Sequence, residues 1–132
     1  MVRPGNSGEG NEMTPVVSTL VIALLGAVGA LVRAGLLQWF ERSCWPTTYS
    51  TVVANIVGSL GAGLVMGADW GVWSWWLAAG LFGAVTTFST VAVDVAEKLR
   101  GEHKGGWVLL MWHVLGGLMG FLMGYQIAAV VF

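Results

Sequence analysis

Charge is what this chain has least of. Only 10% of its 132 residues are Asp, Glu, Lys or Arg, against about 25% in soluble domains. Six basic and seven acidic residues leave a net charge of -1, so no basic surface is available to hold a nucleic acid. Cysteine occurs once, at Cys44, which excludes a disulfide within the chain. A bridge between two chains through Cys44 stays open, and an inert thiol is the ordinary reading. Also missing is a basic segment joined to a short apolar core at the start. Residues 1–14, MVRPGNSGEGNEMT, are polar and glycine-rich, so they read as a disordered tail rather than a cleaved signal peptide. The sequence offers no constellation of nucleophile, base and acid, so an enzyme is not expected.

What fills the chain instead is apolar residue, 56% of the total, and that places it in a membrane. Four stretches, 15–37, 50–67, 72–95 and 106–131, can each cross about 30 Å of hydrocarbon at about 1.5 Å per helical residue. The connections QWFERSCWPTT, ADWG and EKLRGEHKG leave no room for an extramembrane domain. Residues 15–132 are therefore expected to form one all-α, four-helix transmembrane domain of a multi-pass protein in the cell membrane. Trp39, Trp45, Trp70, Trp73, Trp75, Trp76 and Trp107 fall near span ends, where an aromatic belt anchors to the interface. Trp112 lies deeper and is expected to pack between helices. Gly63 and Gly67 on the second span, and Gly116, Gly120 and Gly124 on the fourth, recur every four residues. Each run lies on one helix face and lets backbones approach closely, within the chain or between subunits.

Polar residues inside the spans are few, and intramembrane charge is functional by default. Arg33, toward the end of the first span, can snorkel to the interface. Asp94, near the end of the third, can pair with Lys98 one turn on. The Asn55 amide can donate two hydrogen bonds and in lipid must face protein or water, as a structural tie between helices or as part of a pathway. The stretch GAVTTFSTVAVD, residues 83–94, is the least ordinary. Gly80, Gly83, Thr86, Thr87, Ser89 and Thr90 concentrate poor helix formers within it and just before it. A break there would bare carbonyl oxygens, hard ligands for a small cation, at a depth where such backbone must be buried in protein or line a cavity. The alternative is an intact helix whose hydroxyls bond back to the preceding turn. The hydroxyls, the Asn55 amide and the positive ring edge of Phe88 can all offer partial positive charge to a small anion and still release it.

Three motifs in order carry a resemblance. GAVGALVR supplies Gly26, Gly29, Ala30 and Arg33; TVVANIVGS supplies Thr51, Asn55, Gly58 and Ser59; GAVTTFST closes the set. The chain resembles the Fluc fluoride channels (CrcB proteins) over nearly its whole length after the tail. The resemblance implies an antiparallel dual-topology dimer of four-helix subunits, with the third helix broken at mid-membrane. It implies a structural sodium ion, not transported, held on the dimer axis by backbone carbonyls that here belong to Gly83 and Thr86. It places the fluoride pathways along Asn55, Phe88, Ser89 and Thr90, and sets Arg33 and Asp94 at the vestibules. Two positions depart from the family pattern. Val91 stands where a second Phe is usual, and the fourth span has Trp112 or His113 and then glycines in place of Tyr and Ser.

The function implied is passive, fluoride-selective export that relieves fluoride toxicity. Fluoride enters as neutral HF, ionises in a more alkaline cytosol and is driven out by the membrane potential. A small multidrug-resistance-type antiporter needs an acid in the first span, and none is there. A subunit that does not conduct by itself is the other alternative, which the two departures keep open. Orientation bears on it. Leaving out Arg33 within its span, Arg42, Lys98, Arg100 and Lys104 lie on the side of the first and third loops, against Arg3 alone on the other. The positive-inside rule then puts both termini outside. Such a bias points to a heterodimer with a related, oppositely inserted subunit, which could supply the missing ring and hydroxyls.

Overall fold

A computed structural model of the chain describes residues 15–43, 46–101 and 103–132. The expected N-terminal tail, Cys44 and Trp45 lie outside these residues. Helix α1 spans Pro15–Arg42 and α2 spans Thr47–Gly67. The third apolar segment is composite: α3 (Val72–Trp76), a π-helical stretch (Leu77–Phe82), α4 (Gly83–Val85) and α5 (Phe88–Gly101). Helix α6 spans His103–Val131. Among the described residues, four helices are long and apolar enough to cross a membrane. The helices outrun the apolar stretches at Gln38–Arg42 and Ala96–Gly101, because a helix satisfies its own backbone and need not stop where hydrocarbon stops. Between α2 and α3, Gly71 takes φ 62 to reverse the chain. The Trp70 N–H donates to Ser74 Oγ at 2.8 Å.

Lipid tails are as apolar as leucine, so close backbone approach rather than the hydrophobic effect holds these helices together. Each glycine run lies against the facing helix inside the chain, Gly63 and Gly67 against α6 and Gly116, Gly120 and Gly124 against α2. A Cβ on Gly63 would press into the Phe121 carbonyl, and one on Gly124 into the Leu60 carbonyl. Between them, a Cβ on Gly120 would sit 3.0 Å from the Ile56 carbonyl. The α2–α6 pair is accordingly the most extensive contact in the chain. A second seam joins α1 to the π-helical stretch, where Gly29 abuts the Leu81 carbonyl and Gly80 abuts Ile22. On α2, Gly58 abuts Thr86 and Gly61 abuts the Phe82 ring. The broken segment is thus clasped from both sides.

The tryptophans divide. Trp39, Trp70, Trp73, Trp75 and Trp107 are exposed, as an interfacial belt requires, but Trp76 is buried, edge-on to Trp73 at 5.0 Å. Trp112 corrects the expectation that it packs between helices: it is 63% exposed. The inner face of α6 is taken by His113 and glycines instead, which leaves Trp112 on the outer face in an apolar groove with Trp107, Met111 and Leu115.

Candidate functional site

The third segment breaks because its sequence restarts a helix in mid-span. Helix α4 ends at Val85, and Thr86 turns extended at φ -75, ψ 154. The next threonine then caps α5: Thr87 Oγ1 accepts from the Thr90 N–H at 3.4 Å, the placing of an N-cap residue on the third helical residue. Thr90 and Ser89 hydroxyls also reach Thr87 Oγ1, at 3.1 and 3.3 Å. Back-bonding of a hydroxyl is present too, from Thr86 Oγ1 to the Gly83 carbonyl at 3.0 Å, beside a real interruption. Among the described residues no backbone hydrogen bond joins α4 to α5.

The Thr87 N–H, freed in this way, needs a partner, and Asn55 supplies it while also reaching the Thr87 carbonyl. The Thr87 N–H donates to Asn55 Oδ1 at 2.7 Å, and Asn55 Nδ2 donates to the Thr87 carbonyl at 3.3 Å. The same Nδ2 faces His113 Nδ1 at 3.0 Å. The Asn55 amide therefore stands in for a missing neighbour in the helix and ties α2, the break and α6 together. His113 is 7% exposed. Its Nε2 and the Oδ2 of Asp94 are buried with no partner among the described residues.

Beside the break lies an open cavity of about 270 Å³, lined by Asn55, Ser59, Thr86, Thr87, Phe88, Val91, His113 and Val114. Of the residues expected along a pathway, Asn55 and Phe88 line it. Ser89 and Thr90 do not, but they bond to the hydroxyl of Thr87, which does. Thr86 lines the cavity and Gly83 is exposed one turn before it. Arg33 and Asp94 are partly buried and are not among the lining residues. Phe88 is 82% exposed at the rim of this cavity.

The sequence profile of the family described as "CrcB-like protein, Camphor Resistance (CrcB)" matches residues 20–125. The chain belongs to the CrcB family. Its relatives include a protein of Thermus thermophilus named fluoride-specific ion channel FluC, 35% identical over 116 residues, which cover 82% of this chain and 91% of that one. FluC 1 of Symbiobacterium thermophilum is 36% identical over 103 residues, 70% of this chain and 82% of the relative. FluC 1 of Staphylococcus haemolyticus is 29% identical over 118 residues, 85% of this chain and 100% of the relative.

In this CrcB chain, Val91, the position of the missing second phenyl, is buried and lines the cavity. The residues that pattern reading passed over as site members are Ser59, Thr87 and His113. Thr87 had a signal, since Thr-Phe-Ser-Thr is an N-cap sequence. The pairing of Asn55 with a residue 32 positions on had none.

Proposed function

We propose that this chain is a subunit of a passive fluoride-selective channel that lets fluoride leave the cytoplasm. The observation that carries this is the break: interrupted backbone in mid-span, with Phe88 and Gly83 exposed beside it. Backbone of this kind does not stand against lipid, so a second subunit covers it and closes a cavity lined by hydroxyls, an amide and a ring edge. These groups bind a small anion without a full positive charge and so release it again. The names of the relatives, fluoride-specific ion channels, support fluoride as that anion.

The covering subunit is an antiparallel partner, and the four-to-one excess of basic residues on one side favours a related chain of opposite orientation over a second copy. Numbered relatives such as FluC 1 and FluC 2 agree with such pairing. Fluoride efflux from liposomes tests both levels. Efflux is expected to be weak with this chain alone and strong when the related subunit is added, with C-terminal tags reporting one orientation. Robust efflux from this chain alone, with tags on both faces, would defeat the heterodimer. No efflux in either arrangement would overturn the channel.

The break also suits a structural sodium ion. The extended Thr86 takes its carbonyl out of the helical ladder, and the carbonyl of the exposed Gly83 accepts from the Thr86 hydroxyl. Main-chain oxygens are the hard ligands such a cation takes, and bound there it would neutralise carbonyl dipoles where two subunits meet. Since these ligands are backbone, Thr86→Ser is expected to keep the sodium dependence of thermal stability. Gly83→Val should lose it, because the added bulk stands against the facing subunit. Equal stability of the unmodified protein in sodium and in a large organic cation would remove the ion from the proposal.

A further inference from the structure

His113 is left without a task by the channel reading, yet it is buried and touches the one side chain that holds the break. The ring's two nitrogens are not equivalent here. Asn55 Oδ1 accepts from the Thr87 N–H at 2.7 Å, which fixes the amide so that Nδ2 points at both the Thr87 carbonyl and His113 Nδ1. A nitrogen facing an N–H at 3.0 Å must accept, so the neutral ring carries its proton on Nε2. The orientation of Asn55 and the tautomer of His113 are one choice, made twice.

We propose that His113 is a positioning residue: its Nδ1, as an acceptor, locks the Asn55 amide in the orientation that holds Thr87 at the break. This rests on the channel reading for its effect on conduction, but not for the lock itself. Protonation sets Nδ1–H against Nδ2–H, two donors face to face. If the amide turns over to offer Oδ1 to the ring, its NH₂ group meets the Thr87 N–H, donor against donor, and its oxygen faces the Thr87 carbonyl, acceptor against acceptor. Either way the imidazolium and the clamp on Thr87 exclude each other.

The surroundings of His113 are simple. Among the described residues, helix α6 packs on α2 and α5. From α2, Tyr49 in the first turn is the sole titratable residue, and Asn55 and Ser59 are the nearby polar ones. From α5, Asp94 is the charged group that acts on His113, with Glu97 and Lys98 acting in turn on Asp94. Among the described residues neither Asp94 Oδ2 nor His113 Nε2 has a hydrogen-bond partner, and the donor that faces Nδ1 is Asn55 Nδ2.

Two substitutions separate positioning from mere packing. His113→Asn keeps an acceptor at the δ position and cannot take up a proton. His113→Leu keeps bulk and loses the acceptor. In purified protein, nitrogen NMR of labelled histidine, with His103→Gln to assign the two rings, is expected to find His113 as the Nε2–H tautomer at neutral pH. Hydrogen exchange at the Thr87 amide is expected to be slow in the wild type and in His113→Asn, and fast in His113→Leu. In liposomes with the same pH on both faces, wild-type fluoride flux should fall by about tenfold per pH unit once the ring is mostly protonated. His113→Asn should conduct without that fall. An Nδ1–H tautomer, a fall in acid that His113→Asn retains, or flux that rises in acid would each overturn the proposal. With the expected tautomer and exchange but no fluoride flux from any subunit combination, the lock stands and the channel reading fails.

Discussion

Asn55→Asp is expected to lower fluoride flux on the order of a hundredfold and to loosen the break, whereas Phe88→Ile is expected to abolish flux and to leave the break intact. The first change replaces an NH₂ group with an oxygen at the point where it meets the Thr87 carbonyl at 3.3 Å and His113 Nδ1 at 3.0 Å. Two hydrogen bonds become two contacts between lone pairs, and a negative charge enters the anion's cavity. Lost buried hydrogen bonds at about 1–1.5 kcal/mol each, before any repulsion, lower flux on the order of a hundredfold. The second change acts on a ring that is 82% exposed in its own chain and so supports little within it. Isoleucine keeps bulk and lacks the positive ring edge that an anion approaches. Fluoride flux and Thr87 amide exchange, measured on both variants after their folding is confirmed, separate the two roles. Undiminished flux in both would reject the pathway. Slow Thr87 exchange in Asn55→Asp would show that the amide does not hold the break.

The other large effect lies in the α2–α6 seam. Gly124→Ala is expected to cost about 1–3 kcal/mol, the range for overpacking, and to place it at the upper end because the added Cβ meets the Leu60 carbonyl, which is backbone and cannot move aside. Gly120→Ala is expected to cost less, its Cβ standing 3.0 Å from the Ile56 carbonyl. Gly35→Ala has nothing within 4 Å and should stabilise by up to about 1 kcal/mol through helix propensity. Thermal unfolding in detergent, read by loss of the monodisperse species, gives the order. If Gly124→Ala matched Gly35→Ala, the seam would not be held by glycine contact.

These effects mark what could be read in advance. The four spans follow from apolar runs long enough for hydrocarbon, and their continuation through Gln38–Arg42 and Ala96–Gly101 was hidden because polarity reports the solvent and not the hydrogen bonding. The hydroxyls of Thr86, Thr87, Ser89 and Thr90 allowed a break or an intact helix with back-bonded hydroxyls, since capping and back-bonding use the same groups; the resemblance favoured the break, and the structure has it with one back-bond beside it. The glycine runs announced close approach without naming what approached, which proves to be the backbone of the facing helix at Phe121 and Tyr125 or at Ile56 and Leu60. What stayed hidden was the pairing of Asn55 with Thr87 and His113, three residues on three elements. No spacing in a linear chain encodes a contact between distant positions. Trp112 was misread for the same reason: depth along a helix can be counted, but the face it presents depends on neighbours.

The stretch Leu-Ala-Ala-Gly-Leu-Phe, Leu77–Phe82, reads as ordinary apolar helix, yet it is π-helical. A π-helix closes its hydrogen bonds roughly one residue later than an α-helix does, so it takes up about one residue more per turn. Since an α-helix turns about 100° per residue, Gly83–Val85 is rotated by about that angle from where an uninterrupted α-helix would put it. The face that this last turn presents as it enters the break, with Val85 buried and Gly83 exposed, is therefore set a turn earlier, on the face that α1 grips through Gly29 and Gly80. Helix α1 lends no residue to the cavity beside the break. It acts as the collar that holds the phase of the segment up to Val85, and a slip of one residue there would turn the Gly83 side of the break toward the wrong neighbour.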